Sequence, residues 1–101
     1  MAIDAAAVEL FRLLRPHLPA QPFALEIGEA NWFGDVPVES VPEMADAHGL
    51  GTMDPWQLAR LFYKRVLGMV YLDVVDLQGT GAARRYDLNR PLPLTMRYVL
   101  V

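Results

Sequence analysis

The side chains able to do chemistry are few and scattered. His17 and His48 stand far apart, and neither belongs to a histidine pair at metal-ligand spacing. Glu43, Asp46 and His48 are close in sequence, but helical angles spread them around an axis, so they read as solvated helix-end groups. Asp73 and Asp76 are three positions apart; on a strand they point to opposite faces and cannot share one substrate proton. Ser40, the sole serine, precedes Glu43 at capping-box spacing and suits a helix start better than a nucleophile. Gly79-Thr80-Gly81 lacks the spacing of a phosphate-binding loop and reads as a turn. The expectation is a non-enzymatic domain with no catalytic residues, no bound metal and no cofactor.

The cations are more suggestive. Gln57, Arg60 and Lys64 fall within about 60° on one face of a helix, and Arg84 and Arg85 follow in a later strand. Gln57 can hydrogen-bond a base edge, most naturally adenine, and Arg60 suits guanine. Lys64 suits phosphate, and Arg84 or Arg85 the backbone or minor groove, although neighbours on a strand cannot both face one ligand. Net charge is −3, which opposes polyanion binding, but it is unevenly spread. Residues 1–53 hold two basic and eight acidic side chains (−6); residues 54–101 hold seven and four (+3). Such asymmetry marks either a basic binding face or two halves that neutralise each other in the fold.

These side chains need elements to carry them. At 101 residues the chain has room for one domain, and 53% hydrophobic residues make that domain a folding one. The absence of cysteine excludes disulfides and fits a reducing, cytoplasmic compartment. MAIDAAAVELF carries Asp4 and Glu9 and no basic region, unlike a secretory signal. The longest apolar run, Val66 to Leu72, is far short of the roughly 20 residues of a membrane span.

Asp4 caps a helix from Ala5 to Arg15, which Pro16 ends, with Ala7, Leu10, Phe11, Leu13 and Leu14 on the arc expected to be buried. Phe23 to Ile27 reads as a short strand ending at Gly28. Trp32 and Phe33 read as core or as a cover over it. A second helix is expected from Ser40 to about His48, closed by Gly49. Asp54-Pro55 opens a third, to about Leu67, burying Leu58, Ala59, Phe62 and Val66 and exposing Trp56, Gln57, Arg60, Tyr63, Lys64 and Leu67. After Gly68, Met69 to Leu77 reads as a strand that turns at residues 78–81 into a second, Ala83 to Leu88, as a hairpin. Leu94 to Val101 is a last strand expected to pair within the sheet, and if it lies at an edge it is the natural seam of a homodimer.

Helix, glycine turn, helix, strand, glycine turn, strand is the order from Ser40 to Leu88, and it resembles the winged helix-turn-helix superfamily. VPEMADAHGL resembles the first helix and turn, DPWQLARLFYKRV the recognition helix, and LGMVYLDVVDLQGTGAARRYDL the wing. The resemblance implies a small α+β winged-helix domain that binds nucleic acid, as a transcriptional or accessory regulator, through Gln57, Arg60, Lys64, Arg84 and Arg85. A second resemblance is to ProQ/FinO-type RNA chaperones. It rests on Gln57-Leu58, Tyr71-Leu72, Gly81-Ala82, Arg84, Asp87-Leu88 and the segment Phe23 to Gly28, and it implies an RNA partner. Winged helices also serve as protein-docking modules, so a protein partner is the alternative reading.

Overall fold

Asp4 begins the first helix as its sequence demands: Asp4 Oδ1 accepts the amide of Ala7 at 2.8 Å. The computed structural model describes residues 2–20, 22–76, 80, 81, 83–85, 99 and 100. Within them, strand β1 (Ala2–Ile3) leads into helix α1 (Ala5–Leu14), and Pro16 converts the next turn to a short 3-10 segment. Strands β2 (Phe23–Ile27) and β3 (Asn31–Trp32) follow, then turns, then helix α2 (Pro55–Arg65). Strands β4 (Tyr71–Asp76), β5 (Arg84–Arg85) and β6 (Val99–Leu100) complete the order. The mixed helix-and-strand class read from the sequence is present.

Helix α2 opens on a complete capping box. Asp54 Oδ1 accepts the amide of Gln57 at 2.8 Å and Gln57 Oε1 accepts the amide of Asp54 at 2.9 Å. Pro55 sits in the first turn, where its missing N–H is harmless. Gly68, at φ +68°, turns the chain out of the helix toward β4.

The strands pair in parallel throughout the described residues. β1 lies beside β3, and a four-stranded sheet runs β5-β4-β2-β6. Taken in chain order, these are the third, second, first and fourth strands of that sheet. β2 is central, and Ala24, Leu25 and Glu26 are all buried, so both of its faces are covered. The inside–outside alternation expected of an exposed strand therefore does not hold for it.

The core lies between the two helices and the sheet. Phe62 is fully buried, with its ring centroid 5.8 Å from Phe11 and 5.6 Å from Trp32. Tyr63 packs edge-on against Phe11 at 5.8 Å. Val8, Val41, Met44, Ala59, Val66 and Leu67 fill the remainder.

Several expectations are corrected. Residues 41–48 form a run of turns, not a helix: Val38–Ser40 is a 3-10 turn, and the Ser40 hydroxyl donates to the Pro37 carbonyl instead of capping toward Glu43. Glu43 is taken by Arg12, at 2.6 and 2.9 Å, which ties this segment to α1. β5 runs parallel to β4, so these strands are not the arms of a hairpin, and the wing of the winged-helix reading is not formed by them. Tyr63 and Leu67 are fully buried, not exposed: Tyr63 lies one turn beyond Ala59 on the inward arc of the helix, and Leu67 lies past the helix end, where the chain turns at Gly68. On α1 the buried side is Val8 and Phe11, while Leu10, Leu13 and Leu14 face outward. The final strand does pair within the sheet at Val99 and Leu100; Leu94 to Tyr98 and Tyr86 to Leu88 lie outside the described residues.

Candidate functional site at the carboxyl ends of the strands

The parallel sheet brings together acidic groups that the sequence keeps far apart. β2 and β4 are in register from Phe23↔Tyr71 to Ile27↔Val75, so both end at the same edge. Just beyond them, Gly28 continues the ladder, its amide donating to the Val75 carbonyl at 2.9 Å. Gly28 has φ +80°, a left-handed conformation that favours glycine, and the space where a Cβ would project is open. The turn it makes delivers Glu29 and Ala30 back over the strand ends.

Three carboxylates organise this turn. Asp76 Oδ2, from the last residue of β4, accepts the amide of Glu29 at 2.9 Å. Glu26 Oε1, from within β2, accepts the amide of Ala30 at 2.6 Å. The Glu29 carboxylate itself is buried and receives three donors: Arg60 Nη1 at 2.9 Å, the Thr80 amide at 2.7 Å and the Thr80 hydroxyl at 2.7 Å. One side chain thus ties the β2 turn to α2 and to the segment after β4.

Glu26 is the buried charge problem of the fold. Burial pushes its carboxyl above the ordinary range, partly offset by the bond from Ala30. The Tyr63 hydroxyl adjoins it, yet neither Glu26 Oε2 nor Tyr63 Oη is in hydrogen-bonding geometry with a partner among the described residues. Burial and the neighbouring Glu26 raise the Tyr63 phenol well above its usual value, so it stays protonated. A carboxyl whose folded pKa is raised contributes stability that is complete below about pH 4.5 and is lost as pH rises through the folded value. Glu26→Gln is therefore expected to gain stability relative to the parent between pH 5 and pH 8, read from urea midpoints; an identical pH dependence of the two proteins contradicts this placement. Glu43 has the opposite sign, since its hydrogen bonds from Arg12 lower its pKa and its contribution fades in acid.

No family model, curated protein or solved structure matches this chain, so the site is read from its own geometry.

The residues expected to touch nucleic acid are dispersed by the fold. Gln57, Arg60 and Lys64 do share the outward face of α2 and line one open cavity with Met53 and Leu61. Arg60, however, is paired with Glu29. Arg84 bonds Asp73 through Nε at 3.1 Å, and Arg85 is its neighbour in β5. Asp73 meets Arg84, and Asp76 accepts the Glu29 amide.

Sequence reasoning gives Glu26 and Glu29 no site role, and reads Gly28 as a strand end, Asp76 as half of a carboxylate pair that cannot work together, and Thr80 as a turn residue. A signal was there. Glu26 interrupts an apolar strand at a position that turns out to be buried, and a glycine closes that strand directly before a second glutamate.

Proposed function

We propose that this domain binds a nucleoside-type cofactor at the carboxyl edge of its parallel sheet. The observation that carries the reading is the strand order. A parallel sheet whose strands lie third, second, first, fourth shares its strand order with doubly wound nucleotide-binding folds, which hold their ligand where the order reverses. Here the reversal falls at β2, between β4 on one side and β6 on the other. Gly28 closes the first strand and Asp76 closes the second. The second position is the one from which such sheets offer a carboxylate to the ribose hydroxyls.

The chemistry of the edge narrows the ligand. Dinucleotide sites cradle a pyrophosphate on a glycine-rich turn and a helix N-terminus. The turn here is Gly28-Glu29-Ala30-Asn31, with one glycine where that fingerprint has several, and it leads into β3, not into a helix. The Asp76 carboxylate at the end of β4 also disfavours a phosphate there. The site therefore suits a phosphate-free nucleoside, neutral or cationic; S-adenosylmethionine and adenosine are the appropriate probes, with ATP and NAD+ as contrasts.

Calorimetric titration of the full chain tests this. Saturable binding of adenosine or S-adenosylmethionine is expected, with ATP at least 10-fold weaker. Asp76→Asn is expected to weaken the nucleoside by about 10-fold or more, since hydrogen bonds to a charged acceptor contribute about 1.5–3 kcal/mol. No saturable binding by any of the four compounds, or equal binding to the variant, rejects the proposal.

The nucleic-acid reading draws its remaining support from the clustering of Gln57, Arg60 and Lys64 on α2. Among the described residues β5 runs parallel to β4, which is not the antiparallel wing that supplies the second contact of a winged-helix grip.

A further inference from the structure

On the outward face of α2, away from the apolar arc, lies an open groove of about 260 Å³ lined by Met53, Gln57, Arg60, Leu61 and Lys64. Its lining has an unusual chemical balance. Among the described residues its charged lining groups are Arg60 and Lys64, both cationic. Gln57 has its carbonyl oxygen committed to the Asp54 amide, which orients the side chain and leaves its NH2 as the end available to a ligand. Arg60 gives Nη1 to Glu29, so that guanidinium is held in place instead of sweeping through solvent. Met53 and Leu61, both partly buried, add an apolar wall.

We infer that this groove is a binding site for an anionic head group carried on a small apolar or aromatic body. Donors from Gln57, Arg60 and Lys64 meet the anion, and Met53 and Leu61 meet the body. Arg60 is pre-positioned because Glu29 anchors it, and preorganised donors lose less freedom on binding than mobile ones. The site is separate from the carboxyl edge of the sheet, where Asp76 disfavours an anion. The two are joined through the Arg60–Glu29 pair, whose carboxylate is buried on the sheet side and whose guanidinium reaches the groove.

A phosphate head can come from a small molecule or from a polynucleotide, and the test separates them. The probes are phenyl phosphate, the neutral benzyl alcohol, the cationic benzylamine and a short DNA duplex, each titrated into the isotope-labelled full chain and followed by amide chemical shifts. Phenyl phosphate is expected to shift Gln57, Arg60, Leu61 and Lys64 saturably, while benzyl alcohol and benzylamine bind at least 10-fold more weakly. Lys64→Gln, an exposed position outside the core, is expected to weaken phenyl phosphate by about fivefold without changing the unfolding midpoint. Occupation of the same residues by duplex DNA at lower concentration than phenyl phosphate assigns the anion to a polynucleotide. Binding of phenyl phosphate without competition from the duplex assigns it to a small molecule, and both results support an anion groove. Equal shifts with benzylamine, or an unchanged affinity in Lys64→Gln, overturn it.

Discussion

Phe62→Ala is expected to remove about 3–5 kcal/mol of stability, the usual result of truncating a buried aromatic ring to a methyl group. Phe62 has no solvent exposure and meets Phe11, Trp32 and Tyr63 at centroid distances of 5.6 to 6.0 Å. These partners come from α1, β3 and α2, so the ring joins the two helices to the small sheet. The cavity left behind has little prospect of collapsing, because Phe11 and Trp32 are each fixed by their own elements and Trp32 Nε1 is bonded to the Val36 carbonyl at 2.9 Å. A domain of this size has about 5–15 kcal/mol in total, so the loss takes a large share of its stability. Urea denaturation checks it; a loss below about 1 kcal/mol contradicts the packing.

Glu29→Gln carries the second large effect, although the side chains are nearly isosteric. The carboxylate of Glu29 faces donors only: Arg60, the Thr80 amide and the Thr80 hydroxyl. A glutamine offers one acceptor oxygen and points an NH2 at a donor, so at least one bond is lost and the Arg60 cation loses its partner. Breaking a buried ion pair by removing one member costs about 3–5 kcal/mol. Arg60 is one-third exposed and water partly replaces the lost contact, which brings the expected loss to about 2–3 kcal/mol. The loss should also appear as faster amide exchange at Thr80. A variant with unchanged midpoint and unchanged Thr80 protection contradicts the role assigned to Glu29.

Local signals carried much of this architecture. Asp4, the Asp54-Pro55-Gln57 box and Gly68 each act within a few residues of where they stand, and each does in the structure what its chemistry requires. The strands at Phe23–Ile27 and Tyr71–Asp76 were equally legible from composition. Pairing was not. β5 runs parallel to β4, and β4 itself pairs with β2, whose residues lie nearly half the chain away from it. Without the order of the sheet, nothing placed Glu29 near Thr80 or Asp76 at a strand edge. Tyr63 shows a second limit: its hydroxyl suggests the polar face of α2, but its angular position lies beside Ala59, and the ring follows the angle. After Ser40 the capping box does not close: the Ser40 amide, which Glu43 would accept, donates to the Pro37 carbonyl at 3.0 Å, and the Glu43 carboxylate is held by Arg12.

The nucleoside proposal is tested most directly by locating the ligand on the full chain. Titrated with S-adenosylmethionine, the labelled protein is expected to show its largest amide shifts at Ile27, Gly28, Glu29 and Ala30 and at Val75 and Asp76. Gln57 and Lys64, on the outward face of α2, should move little. Shifts confined to Gln57, Arg60 and Lys64, or no saturable shift at the strand ends, would contradict a ligand site at the edge of the sheet.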